Sequence, residues 1–449
     1  MDETTLLGLE RSVPRYTSYP TAAQFGPAVD AAQHRAWLNA LPPGEDVALY
    51  AHVPYCRALC WYCACHTTVT RSPEQMDAYS DLLARELAMV ARDVGGGRRL
   101  AALQLGGGTP TELGGDGLKR LADQIAARFT IDRKTEISIE TDPRYLTPAR
   151  AAALGAIGVN RASLGVQDFS PAVQRAINRW QPVETTARAM DALRDAGIER
   201  VNIDLVYGLP LQTPDMLAAT LKQTVALGPS RIAVFGYAHV PWMARRQRAI
   251  DDATLPDLDT RQAMARLTAR ELLAAGYVAI GIDHYARPED PLAIAAREGR
   301  LRRNFQGYTD VPAVPQIGLG ASAISQLPGG FSQNAVGVNQ YAERLHEGVY
   351  ATARGCALSD DDRLAGGVIE RLMCDFEVDL DAVARRQGTP VTVFDEDLER
   401  LQPYVRQGAV IVDGYRLRIP AEARIATRLV CAAFDHYLPT SGARHSSAV

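Results

Sequence analysis

This chain predicts an α/β fold, built as a doubly wound sheet or a partial barrel and followed by a small second domain. Three observations carry that expectation. Short apolar runs alternate with longer amphipathic stretches from about residue 47 to 276. The runs are nearly continuous in apolar residues, as parallel strands covered on both faces are. After about residue 360 the rhythm changes to helical patterns and a hairpin-like segment.

In chain order, residues 1–46 read as an N-terminal arm able to act as a lid. Its stretch Pro14-Arg-Tyr-Thr-Ser-Tyr-Pro20 carries two prolines that suit extended backbone better than a helix. Candidate strands follow at 47–53, 100–105, 136–140, 161–166, 201–206 and 231–237. Between them, segments such as 77–87, 118–125 and 186–195 repeat apolar residues every three or four positions, one buried stripe per helix. In either architecture the ligand site lies at the carboxyl ends of the strands. Helical patterns at 362–376 and 395–407 precede Ala409-Val-Ile-Val-Asp-Gly-Tyr-Arg-Leu-Arg-Ile, where Asp413-Gly414 marks a turn. The expected domains are the arm at 1–46, a catalytic domain at 47–330, a mostly helical α+β domain at 331–440 and a tail at 441–449.

With 449 residues, 47% hydrophobic and 22% charged, the chain can bury a large core. Its formal net charge is -4 and its Lys and Arg are scattered, so nothing marks a nucleic-acid or membrane surface and a small-molecule substrate is expected. No apolar run reaches the ~20 residues of a membrane span, and Met1-Asp-Glu-Thr-Thr lacks the features of a signal peptide. A cytoplasmic location is expected. Of seven cysteines, Cys56, Cys60, Cys63 and Cys65 crowd into ten residues, which in a reducing compartment points to metal or redox chemistry.

The cluster sits directly after the first strand, in Tyr50-Ala-His-Val-Pro-Tyr-Cys56-Arg-Ala-Leu-Cys60-Trp-Tyr-Cys63-Ala-Cys65. Cys56, Cys60 and Cys63 can hold one face of an iron-sulfur cubane and leave one iron open to a ligand. A structural zinc site is the competing reading, but it needs a second ligand pair, and the other cysteines are isolated. Cys65 either lines the pocket without ligating iron or is simply a buried thiol.

After the second strand, Gly106-Gly-Gly-Thr-Pro110 would let backbone N–H groups approach a ligand. Glu140 ends the third strand and suits a cationic amine or ribose hydroxyls, or else is a capping or solvated carboxylate. Gln167-Asp168, Asp204 and Ala238-His239 continue a polar ring at successive strand ends. Gly318-Leu-Gly-Ala-Ser-Ala323 imitates a dinucleotide fingerprint, but without a clear preceding strand or a later acidic partner it predicts no nicotinamide binding.

The spacing C-x-x-x-C-x-x-C, with Tyr62 before the last cysteine, resembles the radical S-adenosylmethionine superfamily. The arm motif, Cys60-Trp-Tyr-Cys63-Ala-Cys65, Gly106–Pro110, Gly165-Val-Gln-Asp-Phe169, Asn202-Ile-Asp-Leu-Val-Tyr-Gly208, Tyr237-Ala-His239, Asp283-His-Tyr-Ala-Arg287 and Arg303-Asn-Phe-Gln-Gly-Tyr-Thr309 together resemble the oxygen-independent coproporphyrinogen III oxidase family. That resemblance implies a monomeric enzyme with a (β/α)6 partial barrel, a [4Fe-4S] cluster and two S-adenosylmethionine molecules. By motif position, Cys56, Cys60 and Cys63 would bind the cluster. Tyr50, Tyr62, Gly107, Glu140 and Ile324 would hold the first cofactor molecule. Gly108, Thr109, Gln167, Arg179, Asp204 and Ala238 would hold the second. Gln306 would be a pocket residue bearing on turnover, and Arg15, in the arm, a candidate partner for a substrate carboxylate. The implied reaction turns propionates of coproporphyrinogen III into vinyl groups through a 5'-deoxyadenosyl radical, with a reducing donor such as flavodoxin or ferredoxin. A related enzyme acting on another tetrapyrrole and a non-catalytic haem-binding or haem-transfer paralogue are the alternatives.

Overall fold

A computed structural model describes residues 13–312 and 314–438; the expected tail and the first residues of the arm lie outside the described residues. Six strands alternate with helices: β1 (Val47–Val53), β2 (Leu100–Gly107), β3 (Glu136–Thr141), β4 (Arg161–Gln167), β5 (Arg200–Tyr207) and β6 (Arg231–Gly236). They pair in parallel, each with the next in sequence. A doubly wound sheet reverses its strand order at a switch point. This one does not, so of the two architectures the partial barrel is the one formed.

The sheet continues past both ends of the six. Short antiparallel strands β7 (Val278–Ile280) and β8 (His284–Ala286) follow β6. On the other side β9 (Gln316–Leu319) runs parallel to β1, and β10 (Ile324–Leu327), β11 (Gly330–Asn334) and β12 (Thr352–Ala357) add antiparallel hairpins. The expected boundary at 330 falls inside β11, which pairs with β10 on one side and β12 on the other, so the sheet runs on to Ala357. The dinucleotide-like segment begins inside a strand, β9, where no clear strand was expected before it. It leads into another strand and not a helix, so the helix N-terminus that binds pyrophosphate is missing.

The strands are less uniformly apolar than expected. In β3, Ile137 and Ile139 are buried under the helices while Glu136, Ser138 and Glu140 face an internal cavity. Gln104, Ser163, Asn202 and Asp204 of the neighbouring strands line the same cavity, which gives a ligand-sized interior polar walls there. Helix starts are locally encoded: Ser72, Thr147 and Thr213 cap Pro73–Val94, Pro148–Ala156 and Pro214–Leu227 with their side chains, each followed by proline at the first helical position.

Within the arm, residues 13–20 form neither helix nor strand; where an extended arm was expected, Tyr16 takes φ 47° and the chain bends at 17–20, and a helix at Ala31–Asn39 buries Leu38 in the main core. Val13, Tyr16 and Tyr19 join a second core with Leu364, Val368, Leu372 and Phe434 of the C-terminal region. That region holds helices Asp360–Asp375, Leu380–Arg386, Asp395–Arg406 and Thr427–Ala432 around a three-stranded sheet.

Candidate active site

The cysteine loop leaves β1 at Pro54 and returns as Thr68–Val69, which pairs with Tyr55–Cys56. Cys60 is buried, Cys56 and Cys63 are half-buried and Cys65 is exposed. Each of the three motif sulfurs faces hydrogen-bond donors. The Thr109 hydroxyl lies 3.8 Å from Cys56 Sγ, the Cys65 N–H donates to Cys63 Sγ at 3.4 Å, and Arg179 Nη1 and Arg144 Nη2 donate to Cys60 Sγ at 3.3 and 3.7 Å. Asp142 fastens both guanidiniums, 2.6 Å from Arg144 and 3.2 Å from Arg179. Such donors and cations suit a cluster that concentrates thiolate charge. Among the described residues no three His, Cys, Asp or Glu side chains close around a single ion. A cubane asks for a different arrangement, one sulfur on each of three irons. Hydrogen bonding by Cys65 lowers the Cys63 thiol to about 6, whereas burial raises Cys56 to about 11.

Arg179, expected beside a second cofactor molecule, bonds Cys60 of the cysteine loop and Asp142 just past β3. Its Nη2 also donates to the Gly165 carbonyl, and only Nε lacks a partner. Arg144 and Asp142 were missed by sequence reading, although Asp142-Pro-Arg144 stands two residues past Glu140. Gln247 was also missed. Fully buried, it donates to the carbonyls of Tyr62 at 2.7 Å and Ala238 at 3.0 Å and accepts from the Val240 N–H, joining the cysteine loop to the end of β6.

The glycine loop is shaped by crowding. A side chain at Gly106 would strike Glu140 and Tyr50, one at Gly107 would strike His52, and one at Gly108 the backbone of Tyr55. Its N–H groups, expected to face a ligand, are already used: Gly107 donates to Glu140 Oε2 at 3.1 Å, Gly108 to Val53 O at 2.8 Å and Thr109 to Tyr55 O at 2.7 Å. A bound ammonium would need acceptors in any case.

A cavity of about 370 Å³ runs inside the barrel and brings together Glu140, Asp204 and Gln306 of the expected site residues. Burial raises Glu140 to about 7, and raises Asp204 despite hydrogen bonds from Ser163 and Asn202, each at 2.7 Å. Tyr50 stands beside Glu140 and hydrogen-bonds His52 at 3.1 Å. Gln316 Nε2 holds Gln306 Oε1 at 2.7 Å in the wall. Ile324 begins β10, its carbonyl close against Gly318. Gln167 ends β4 with φ 74°. Asp168, counted in the polar ring, turns away and is tied to Gln212 at 2.7 Å. Cys65 lines a separate cleft of about 1240 Å³ between the cysteine loop and Pro73–Val94. From the arm, Arg15 donates to the Gly236 carbonyl at 2.6 Å, at the end of β6.

Comparison with known proteins gives this geometry its relatives. The Radical SAM superfamily model matches residues 50–224, from the middle of β1 into Pro214–Leu227. The oxygen-independent coproporphyrinogen III oxidase of Bradyrhizobium diazoefficiens is 45% identical over 98% of each chain, and that of Paracoccus denitrificans 46% identical over 99% of this chain and 98% of its own. The solved coproporphyrinogen III oxidase of Escherichia coli, described as a radical SAM enzyme, superposes with a TM-score of 0.90 at 39% identity, covering 94% of this chain and 97% of that one. Agreement along both the arm and the C-terminal region reaches well beyond the shared barrel, and the chain belongs to the oxygen-independent coproporphyrinogen III oxidase family of radical SAM enzymes.

Proposed function

We propose that this protein oxidatively decarboxylates two propionate side chains of coproporphyrinogen III to vinyl groups, giving protoporphyrinogen IX without oxygen. The observation that carries this reading is the loop bearing Cys56, Cys60 and Cys63 at the carboxyl end of β1, with Arg144 and Arg179 on the Cys60 sulfur. When bound, the [4Fe-4S] cluster and S-adenosylmethionine would supply a hydrogen acceptor for the ring-attached β-carbon of a propionate, after which carbon dioxide leaves and one electron passes to an external acceptor.

The chain's own residues hold and shield that chemistry. Cys56, Cys60 and Cys63 would hold the cluster. Glu140 would attract the ammonium of the first S-adenosylmethionine, with Tyr50, Tyr62, Gly107 and Ile324 around it. Asp204 would help hold a second molecule, with Gly108, Thr109, Gln167, Ala238 and the Nε of Arg179, which among the described residues has no partner. Gln306 presents its amide to the substrate side of the cavity. The arm covers the end of β6 and keeps water out. A flavodoxin or ferredoxin as electron donor, a monomeric state and a cytoplasmic setting complete the reading; among the described residues no helix is long and apolar enough to cross a membrane.

The test is anaerobic incubation of reconstituted protein with S-adenosylmethionine, a reductant and coproporphyrinogen III, followed by mass spectrometry. Stepwise loss of two carboxyl groups is expected. Modification of a different tetrapyrrole, with coproporphyrinogen III untouched, would keep the chemistry and remove the substrate.

A further inference from the structure

Four arginines from distant parts of the chain meet where the arm and the last helix cover the carboxyl end of β6. Arg15 comes from the arm, Arg261 from helix Leu258–Ala274, Arg303 from strand Arg302–Asn304 and Arg428 from helix Thr427–Ala432. Backbone carbonyls orient three of them: Arg15 Nη2 on Gly236 O at 2.6 Å, Arg261 Nη2 on Tyr237 O at 2.8 Å, and Arg303 Nε on Tyr16 O at 3.4 Å. Arg303 also stacks 4.4 Å over the Tyr308 ring, which fixes the plane of its fork.

Among the described residues, the charges around Arg15, Arg261 and Arg303 do not balance. The carboxylate beside Arg15 and Arg303 there is Asp283, and its Oδ1 is already 2.6 Å from His284 Nδ1. Among the described residues, Arg15 Nε, Arg261 Nε and Arg303 Nη1 are buried without a hydrogen-bond partner. A buried donor left unmade is costly, and several guanidiniums crowded together repel one another. Burial and this mutual repulsion hold Arg15 below its ordinary range and push Arg428 down to about 10. Such a place is relieved by anions arriving from outside.

Of the four, Arg303 lines the barrel cavity, as does His284 beside Asp283, so the cluster reaches the space where the reaction is placed through Arg303. We propose that Arg15, Arg261, Arg303 and Arg428 bind the propionate carboxylates of the tetrapyrrole that are not decarboxylated. This inference rests on the proposed function, because only a substrate with more carboxylates than reacting groups needs a permanent anion seat. Planar forks suit bidentate capture of a carboxylate, and a substrate so held spans the arm, the barrel and the last helix at once. Orienting the retained propionates would leave the reacting pair facing the Glu140 and Asp204 end of the cavity.

The test is fluorescence titration of anaerobically prepared full-length holoprotein with coproporphyrin III, the oxidised and unreactive form of the substrate, and with its tetramethyl ester. Wild type is expected to bind the tetra-acid at least about tenfold more tightly than the ester, as charge-assisted hydrogen bonds require. Arg261→Gln and Arg303→Gln should each lose about tenfold for the tetra-acid and nothing for the ester, with iron content retained. Arg303→Lys should regain part of the loss, and KM for coproporphyrinogen III should rise with the lost affinity. Variants that bind both ligands as wild type does, or that weaken both equally, overturn the proposal, as does a wild type that does not discriminate. If Arg303→Gln fails to fold, Arg261→Gln and the wild-type ester comparison decide. If wild type decarboxylates coproporphyrinogen III without preferring acid over ester, this inference alone fails. If it neither binds nor decarboxylates, the proposed function fails with it.

Discussion

Arg179 shows how much one side chain is asked to do. Its guanidinium contacts Cys60 Sγ, Asp142 and the Gly165 carbonyl, and charge-assisted hydrogen bonds of this kind contribute about 1.5–3 kcal/mol each. Arg179→Gln should therefore lose iron on desalting and make the remaining cluster harder to reduce, read by iron analysis and potentiometry. Cys56→Ser, Cys60→Ser and Cys63→Ser should each abolish the broad visible absorption of the cluster. Cys65→Ser should keep it, since its contact to Cys63 Sγ includes a backbone N–H that survives the change; loss of iron there would make Cys65 a ligand. Glu140 carries a pH prediction. With its carboxyl raised to about 7 by burial, the charged form that attracts an ammonium is present above that pH and lost below it. S-adenosylmethionine affinity, measured by equilibrium binding, should fall as pH drops through 7, and Glu140→Gln should bind weakly with a flat profile.

At the scale of elements, helix Pro73–Val94 fastens the added hairpins to the barrel through one buried carboxylate. Glu86 accepts from the Gly320 N–H at 2.7 Å, Asn334 Nδ2 at 2.7 Å and Tyr341 OH at 2.6 Å. Three donors converge on it, and an amide in its place would turn its own N–H groups toward some of them. Glu86→Gln should lower the melting temperature, at a cost of about 2–3 kcal/mol. Burial raises Glu86 to about 7, above its unfolded value, so the folded state holds the proton more tightly. Stability should fall as pH rises from about 4.5 to 7 and then level, a slope missing in the variant. A sequence pattern marks position 86 only as part of the apolar stripe; the donors come from 234 to 255 residues away.

Across the whole molecule, the stretch of the arm from Val13 to Tyr19 packs with the C-terminal region in one core. Tyr16 donates to Asp435 Oδ2 at 3.0 Å, the Tyr19 hydroxyl accepts from the His436 N–H at 3.0 Å, and both rings lie in the second core. Tyr16→Ala should cost about 3–5 kcal/mol and expose the last helix to limited proteolysis before the barrel unfolds. By itself the sequence determined what depends on near neighbours. The six strands follow from short apolar runs, several helix starts from Ser or Thr before proline, and the three motif cysteines from spacings of four and three on one loop. Barrel or doubly wound sheet was decided only by strand order. Likewise the guanidiniums on Cys60, which lie 84 and 119 residues beyond it, and the arginines gathered from positions 15, 261, 303 and 428 became partners only in the folded chain. The physical reason is that hydrophobic periodicity is a local property, whereas burial brings charged groups together from anywhere, and where they meet depends on how every element packs.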